Sequence, residues 1–208
     1  QRTNLPVQPW GVTTLKGDTL YAHVYRWPSD GKLVIGGLRS EIKKSWCLAN
    51  KKTSVKFNRL NADDYELALP AKAPDNMDAV IALILDKQQA PNPIRLLDAR
   101  QSNILYTFDA QLQGRGLGFG DGKPNRNYVK NWKNENQSMK WKLRLNEPAE
   151  YTVYLDYNTA GKNDTGTVII EIAGQKFEVN YPAFYERNGS SSVLVGKVKL
   201  DKGALECN

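Results

Sequence analysis

Aromatic, amide and basic side chains are concentrated in one long polar stretch of the sequence, residues 114–137. Tyr128, Asn131 and Trp132 lie there, interleaved with the basic residues Lys123, Arg126, Lys130 and Lys133. The apolar face of a pyranose stacks on an aromatic ring, and its hydroxyls bind amide and charged groups. A tryptophan in a polar loop is costly unless it is covered or used. These residue types predict a carbohydrate-binding surface at Tyr128, Asn131 and Trp132.

A second aromatic and amide group lies further along the chain. Tyr157 and Asn158 end a predicted strand, and Tyr185 lies in the loop before the last predicted strand. Loops that follow successive strands of a sandwich can meet at one end and form a site there. Tyr157, Asn158 and Tyr185 are therefore added to the predicted carbohydrate site.

The same composition would also allow nucleic-acid bases to stack. An RNA-recognition module, however, shows basic and aromatic residues alternating on a sheet face, and this sequence does not. The net charge of +7 is spread, with +4 in residues 1–90 and +3 in residues 91–208, and forms no basic tail. We expect no nucleic-acid partner.

The sequence contains no complete catalytic apparatus. Its single histidine, His23, lies in the middle of a predicted strand and is interpreted as a core or interface residue, not as a general base. A glycosidase needs two carboxyl groups facing each other across a cleft. The acidic residues instead lie scattered over turns and strand exteriors: Asp63, Asp64, Asp75, Asp78, Asp121 and Asp164. No catalytic residue is assigned.

Cofactor and metal signals are also missing from the sequence. The alternating glycines of residues 114–120 do not stand between a strand and a helix, as a dinucleotide fingerprint requires, and indicate a flexible or close-packed loop. Cys47 and Cys207 fall in different predicted domains and are expected to be free thiols, too few for a four-ligand zinc site. We expect no cofactor and no metal.

The length of 208 residues suits one large domain or two small ones. The longest apolar run, residues 80–85, is far shorter than the roughly 20 residues of a membrane span, so no membrane span is expected. The chain starts at Gln1, and no charged segment followed by an apolar one indicates a signal peptide there.

Strand signals dominate the first half of the sequence, and helical periodicity is weak. In residues 19–27, Leu20, Ala22 and Val24 face one side while Tyr21 and His23 face the other, as in a central strand of a sandwich. Turn signals rich in Gly, Pro, Asn and Asp separate the strands. The predicted strands are 12–15, 19–27, 32–35, 42–48, 55–57, 65–69 and 80–85.

A polar, proline-containing segment then interrupts the pattern, and we predict a linker at 89–101 between domains 1–88 and 102–208. Strand signals resume at 104–112, 139–145, 151–157, 167–173, 175–179 and 193–200. In 139–145 the apolar residues alternate with Lys140, Lys142 and Arg144, which are expected on a solvated face. The predicted fold class is all-β, with two consecutive antiparallel β-sandwich domains.

Six pieces of the first half occur in a recognisable order: Trp10-Gly11, GDTLYAHV at 17–24, Trp27-Pro28, DGKL at 30–33, LPAKAP at 69–74 and VIAL at 80–83. In this order they resemble the C-terminal β-sandwich of glycoside hydrolase family 29, the α-L-fucosidases. In that family an upstream (β/α)₈-like barrel holds an aspartate nucleophile and a carboxylate acid/base of a retaining mechanism. Nine residues precede Trp10, so no catalytic residue is carried over, and the resemblance implies a non-enzymatic part of a larger glycosidase.

Five pieces of the second half are Asn131-Trp132, MKW at 139–141, AEYTV at 149–153, GQKF at 174–177 and GKVKLDKG at 196–203. They resemble the galactose-binding-like sandwich modules appended to such fucosidases, although Pro148-Ala149 stands where the family has Pro-Gly. Those modules typically continue past the Lys-Gly turn with one or two more strands, whereas this sequence stops at Asn208. We therefore expect the last sheet to be short of a strand.

The two resemblances imply the non-catalytic C-terminal portion of a secreted or periplasmic α-L-fucosidase-like hydrolase. The first domain would pack on the upstream catalytic barrel, and the second would bind a fucose- or galactose-containing glycan as a carbohydrate-binding accessory domain. The alternative is a pair of structural or interaction domains without a glycan ligand.

Overall fold

The computed structural model describes residues 1, 3–87, 89–122, 127–186 and 189–208. The chain divides into two compact units, Gln1–Asn103 and Ile104–Asn208. The predicted all-β class with antiparallel sandwiches is confirmed, since the helical structure of the described residues is one 3₁₀ turn at Thr107–Asp109. Within those ranges no helix is both long enough and apolar enough to cross a membrane.

The first unit contains two antiparallel sheets. One has the strand order β1-β2-β8-β4-β5, and the other has the order β3-β7-β6. Its strands are β1 Gly11–Lys16, β2 Thr19–Val24, β3 Lys32–Gly36, β4 Ile42–Cys47, β5 Asn50–Ser54, β6 Lys56–Asn61, β7 Asp64–Ala68, β8 Ala79–Leu85 and the short β9 Arg95–Leu96.

A single hydrophobic core lies between these two sheets. In β2, Leu20, Ala22 and Val24 are buried and Tyr21 and His23 are half-buried, as their alternation predicts. Each fully buried aliphatic side chain contributes about 2 kcal/mol to folding. The same core cluster contains residues of the other sheet, Leu33, Ile35, Tyr65 and Leu67. Since both sheets share one core, the first unit is a β-sandwich.

The segment predicted as a linker, 89–101, packs on the first unit. Asn92 is buried, its backbone N–H donates to the carbonyl oxygen of Gly37 (3.0 Å), and its Nδ2 donates to Asp63 (2.8 Å). Leu96 and Leu97 are also buried. The polar composition around Pro91 and Pro93 gave no sign of this packing, because the contacts are made by the backbone, by one amide and by two leucines that follow.

The second unit is built around a larger sheet with the strand order β10-β13-β18-β15-β16. β14 pairs with β17, and β11 pairs with β12. The strands are β10 Gln111–Gln113, β11 Gly118–Phe119, β12 Val129–Lys130, β13 Ser138–Leu145, β14 Ala149–Tyr157, β15 Gly166–Ile172, β16 Gln175–Tyr181, β17 Ser191–Leu200 and β18 Gly203–Cys207. Its buried apolar residues include Leu143, Leu145, Ile172, Val179, Val198 and Leu200.

Three features of the second unit differ from the sequence predictions. Residues 104–112 form the 3₁₀ turn and the short β10 in place of one long strand, and the ring of Tyr106 stacks on that of Phe108 (centroids 5.1 Å apart). A strand does follow the Lys202-Gly203 turn: β18 lies inside the sheet, between β13 and β15. The expectation of a solvated Arg144 is wrong, because this side chain is buried, whereas Lys142 is exposed.

Candidate functional site

The polar stretch 114–137, called the lobe below, lies between β10 and β13, and hydrogen bonds join its described parts, 114–122 and 127–137. Its two short strands, β11 and β12, pair antiparallel, and the backbone N–H of Gly120 donates to the carbonyl oxygen of Tyr128 (2.8 Å). These bonds hold the backbone next to the predicted aromatic residues. Two of the basic residues singled out in the sequence, Lys123 and Arg126, lie outside the described residues.

A buried glutamine at the end of the lobe, Gln137, joins its segments. Its Oε1 accepts hydrogen bonds from the backbone N–H groups of Lys133 (2.6 Å) and Asn134 (3.2 Å). Its Nε2 donates to the carbonyl oxygens of Arg115 (2.7 Å) and Asn131 (3.2 Å). A primary amide offers two donors and two acceptor positions, so all of them are used. Reasoning from the sequence missed this residue.

The alternating glycines of residues 114–120 belong to the segment that packs against Gln137, and they are the sequence signal for this packing. Gly114 has φ +93°, and a Cβ at this position would lie 2.9 Å from Cγ of Gln137. Gly116, whose carbonyl oxygen accepts from Asn131, has φ +90°. Both backbone conformations favour glycine. The sequence indicated either a flexible or a close-packed loop here, and at Gly114 the loop is close-packed.

The predicted site residues of the lobe have two different roles. The rings of Tyr128 and Trp132 are 47% and 45% exposed. Nε1 of Trp132 donates to the carbonyl oxygen of Val129 (3.2 Å), which orients the indole while its ring remains open to solvent. Asn131 has φ +68° and donates from Nδ2 to Gly116 (3.1 Å). The two rings are available for stacking, whereas the Asn131 amide shapes the lobe.

The second predicted group divides in the same way. The Tyr157 hydroxyl donates to the carbonyl oxygen of Pro182 (3.1 Å). The Asn158 Nδ2 donates to two further carbonyl oxygens of the same loop, at 2.6 and 2.7 Å. The structure thus brings Tyr157 and Asn158 together with the loop that carries Tyr185, whose ring is 53% exposed. Tyr157 and Asn158 hold this loop, and Tyr185 is the exposed ring of the group.

Two surface depressions of the described residues lie away from both groups. One, of about 290 Å³, is lined by Lys140, Glu171, Ala173, Gly174, Glu206 and Asn208. The other, of about 240 Å³, is lined by Leu48, Ala49, Pro74, Asp75, Asp78, Ala79 and Val80. Neither lining includes any of the six predicted site residues. With Tyr128, Trp132 and Tyr185 about half exposed, the aromatic groups suit stacking on an extended ligand better than enclosure of a small one.

His23 lies half-buried on the outer face of the sheet that contains β1 and β2. Its Nε2 is 3.1 Å from the Thr14 hydroxyl, and its Nδ1 is 3.1 Å from a carboxylate oxygen of Asp78. This order of groups resembles a hydrolytic triad. An oxyanion, however, needs free N–H donors, and the adjacent amide of Leu15 already donates to the carbonyl oxygen of Gln1 (2.9 Å). We interpret His23 as a brace between β1 and the segment before β8.

The acidic residues of the first unit that the sequence singled out hold turns. Asp64 is buried and accepts from the backbone N–H of Gly37 (3.0 Å), and Asp63 pairs with Arg39 (2.6 Å). Two backbone N–H groups, those of Met77 and Asp78, donate to Asp75 and lower the pKa of its carboxyl group. A carboxyl group held ionised in this way is a poor general acid. Among the described residues no three His, Cys, Asp or Glu side chains are grouped to hold a metal ion.

Both cysteines are free, as predicted, and both are buried. Burial raises the pKa of the Cys207 thiol to about 11, and it also raises the pKa of Cys47. Since the thiolate is the nucleophile, neither group is activated for chemistry at neutral pH. Their positions on β18 and β4 are accounted for by packing.

The chain is thus an all-β protein of two antiparallel sandwich units, with aromatic rings exposed on the surface of the second unit. The fold is similar to that of an α-L-fucosidase from Vibrio sp. strain EJY3: 96% of this chain and 35% of that chain align, with a TM-score of 0.57 and 18% identity. This chain therefore spans about a third of that enzyme. The resemblance to fucosidases inferred from residues 10–86 is confirmed at the level of the fold.

Two further solved structures align over smaller parts of the chain. The α-L-fucosidase isoenzyme 1 of Paenibacillus thiaminolyticus matches 38% of this chain and 20% of its own at 31% identity, with a TM-score of 0.34. The Podospora anserina GH26-CBM35 β-(1,4)-mannanase matches 50% of this chain and 22% of its own at 19% identity, with a TM-score of 0.41. No protein-family model matches the sequence, and a search of curated proteins gives no match.

Proposed function

We propose that this chain is a non-catalytic portion of a larger, secreted or periplasmic α-L-fucosidase-like glycoside hydrolase, and that its second unit binds glycan. The observation that carries the proposal is the fold likeness to a fucosidase over nearly the whole chain, which accounts for only about a third of that enzyme. The remainder of such an enzyme is large enough for a catalytic barrel. The six ordered pieces of residues 10–86 support the same assignment from the sequence.

The first unit is proposed to pack on the catalytic barrel of the parent enzyme. Its sheet β1-β2-β8 pairs Val12 with His23 and His23 with Val80, so these three side chains share the outer face. Val12 is 49% exposed, and Tyr25 is 52% exposed just beyond the end of β2. An apolar and aromatic sheet face of this kind is typical of a surface that a neighbouring domain covers.

The second unit is proposed to be a galactose-binding-like module that holds a fucose- or galactose-containing glycan. Trp132 and Tyr128 of the lobe would stack on sugar rings, and Tyr185 would extend the surface if the ligand reaches that loop. The observation that supports this assignment is that two aromatic rings, Tyr128 and Trp132, are exposed on the same short stretch of the lobe.

Replacing Trp132 with alanine tests the proposal. On an array of fucose- and galactose-containing glycans, neutral and charged, we expect the 208-residue chain to bind a subset. Trp132→Ala should weaken that binding at least about 10-fold, since one lost stacking contact is worth roughly 1.5 kcal/mol.

The matched control is Tyr154→Ala, which removes a 61% exposed ring from β14, outside both predicted groups. It should bind like the unmodified chain. If the unmodified chain binds no glycan, or if Trp132→Ala binds as well as Tyr154→Ala, the structural or interaction alternative is favoured.

The proposal also predicts that the chain alone does not hydrolyse an aryl α-L-fucoside. A retaining glycosidase needs an acid and a nucleophile about 5 Å apart, whereas Asp63, Asp64 and Asp75 are engaged in turns. The measurement is the release of the aryl chromophore over hours at high protein concentration. Turnover that rises in proportion to the concentration of purified chain would show that it is an enzyme in its own right.

A further inference from the structure

The positive charge of the second unit is localised in the lobe. Residues 114–137 contain five basic and two acidic side chains, whereas the remainder of Ile104–Asn208 contains nine basic and ten acidic ones. The whole positive excess of this unit is thus carried by the stretch that also carries Tyr128 and Trp132. Charge spread for solubility alone would not be distributed in this way.

The described cations of the lobe lack carboxylate partners. Elsewhere in the described part of the unit, some lysines pair with carboxylates across strands, as in Lys140–Glu206, Lys176–Glu171 and Lys199–Glu150, and others, such as Lys162 and Lys202, are exposed without an ion-pair partner. In the described part of the lobe, Arg115, Lys130 and Lys133 have no carboxylate within 4.0 Å. These three side chains remain available for an anion from outside the chain.

The position of Lys130 places one of these charges next to the aromatic surface. Lys130 lies opposite Gly118 in the β11–β12 pair, and its Cε is 3.6 Å from the place where a Gly118 Cβ would be. The Lys130 stem therefore lies over Gly118 of β11. Trp132 and Lys133 follow within three residues, so stacking and anion binding can act on the same short stretch of ligand.

We propose that the ligand of the lobe is an anionic glycan, a pyranose chain bearing sulfate esters or carboxylates, which it selects over a neutral glycan. This inference rests on the proposed glycan-binding function. A sugar ring would stack on Trp132 while its anionic substituent binds Lys130, Lys133 or Arg115. Exposed charges at this distance act through screened electrostatics, so selection depends on ionic strength.

The experiment uses the 208-residue chain and four immobilised probes: a neutral galactan, the same galactan chemically sulfated, polygalacturonate and single-stranded DNA. We expect the sulfated galactan or the polygalacturonate to bind at least about 10-fold more tightly than the neutral galactan in 50 mM salt. Raising the salt to 500 mM should remove most of this difference, because the screening length falls from about 14 Å to about 4 Å. The comparison of sulfate with carboxylate identifies the anion.

Two double variants locate the effect. Lys130→Gln/Lys133→Gln should lower affinity for the anionic glycan about 5-fold or more and leave the neutral galactan unchanged. Lys162→Gln/Lys202→Gln removes the same charge from exposed positions outside the lobe and should have little effect. If both double variants lose affinity equally, the lobe is not the anion site and the inference fails.

The remaining outcomes are also decisive. Equal binding of neutral and sulfated galactan would overturn the inference while leaving glycan binding intact. Binding of neither galactan nor galacturonan would also overturn the inference, and the array of fucose- and galactose-containing glycans would then decide whether the chain binds glycan. Retention of DNA as strong as that of sulfated galactan, and lost in Lys130→Gln/Lys133→Gln, would assign the lobe to nucleic acid and overturn the inference.

Discussion

Replacing Gly11 with alanine is expected to destabilise the first unit by about 3 kcal/mol or more. Gly11 lies at the start of β1, opposite Val24 of β2. A Cβ on Gly11 would overlap the carbonyl oxygen of His23, which is backbone in the neighbouring strand. A side chain could rotate away from such a clash, but a paired strand can move only by breaking its ladder.

The matched control is Gly17→Ala, in the turn between β1 and β2. Gly17 has φ +58° and nothing within 4 Å of a Cβ, so only the cost of the left-handed backbone remains, about 1 kcal/mol. Thermal and urea unfolding of the two variants measure the difference. For a unit of this size 1 kcal/mol lowers Tm by about 4–8 °C. Equal midpoints for the two variants would contradict the expected clash.

The Trp10-Gly11 pair shows why a short sequence piece can indicate a fold. Trp10 is fully buried, and its Nε1 donates to the carbonyl oxygen of Val34 (2.7 Å) on the opposite sheet. Its own carbonyl oxygen accepts from the backbone N–H groups of Tyr25 and Arg26. The tryptophan joins the two sheets, and the glycine lets β1 approach β2 closely beside it. Both residue types are therefore required by geometry at these two positions.

The strands that the sequence predicted well are those whose side chains alternate between core and surface. β2 and β8 were predicted because their buried positions are apolar. The sequence did not predict β5, Asn50–Ser54, because its residues are polar throughout and its first residues indicate a turn. β18 was missed for a related reason. It is five residues long, and its place between β13 and β15 is set by pairing with strands far away in sequence.

The candidate site could be predicted in composition but not in the roles of its members. A tryptophan in a polar loop pointed correctly to an exposed ring, and Trp132 and Tyr128 are exposed. An amide beside it could not be interpreted in the same way, because residue type does not reveal which donors the backbone already uses. Asn131 and Asn158 both donate to backbone carbonyl oxygens. That any of the six residues binds glycan stays a prediction.

The second large effect is expected at Gln137. Replacing it with alanine leaves two backbone N–H groups and two carbonyl oxygens of the lobe without their buried partner. These four hydrogen bonds are part-buried, and a typical hydrogen bond contributes about 1 kcal/mol net. We expect a loss of roughly 3 kcal/mol, confined to the lobe, and a fall in glycan binding as large as that of Trp132→Ala. Hydrogen exchange of residues 114–137 measures the first effect, and the glycan array measures the second.

A conservative variant shows whether the hydrogen bonds of Gln137 or only the volume of its side chain hold the lobe. Gln137→Glu keeps acceptor oxygens for Lys133 and Asn134 but replaces the donor to Arg115 and Asn131 with a second oxygen, which would face two carbonyl oxygens. It should therefore be as damaging as alanine, although its shape is nearly unchanged, because buried acceptors that face each other repel. The unit around the lobe should remain folded in both variants, since its core residues, such as Leu143 and Val198, are untouched.

If Gln137→Glu binds glycan normally and protects the lobe from exchange, then the volume of Gln137 and not its four hydrogen bonds holds the lobe. The rings of Tyr128 and Trp132 would in that case owe their positions to the β11–β12 pairing alone.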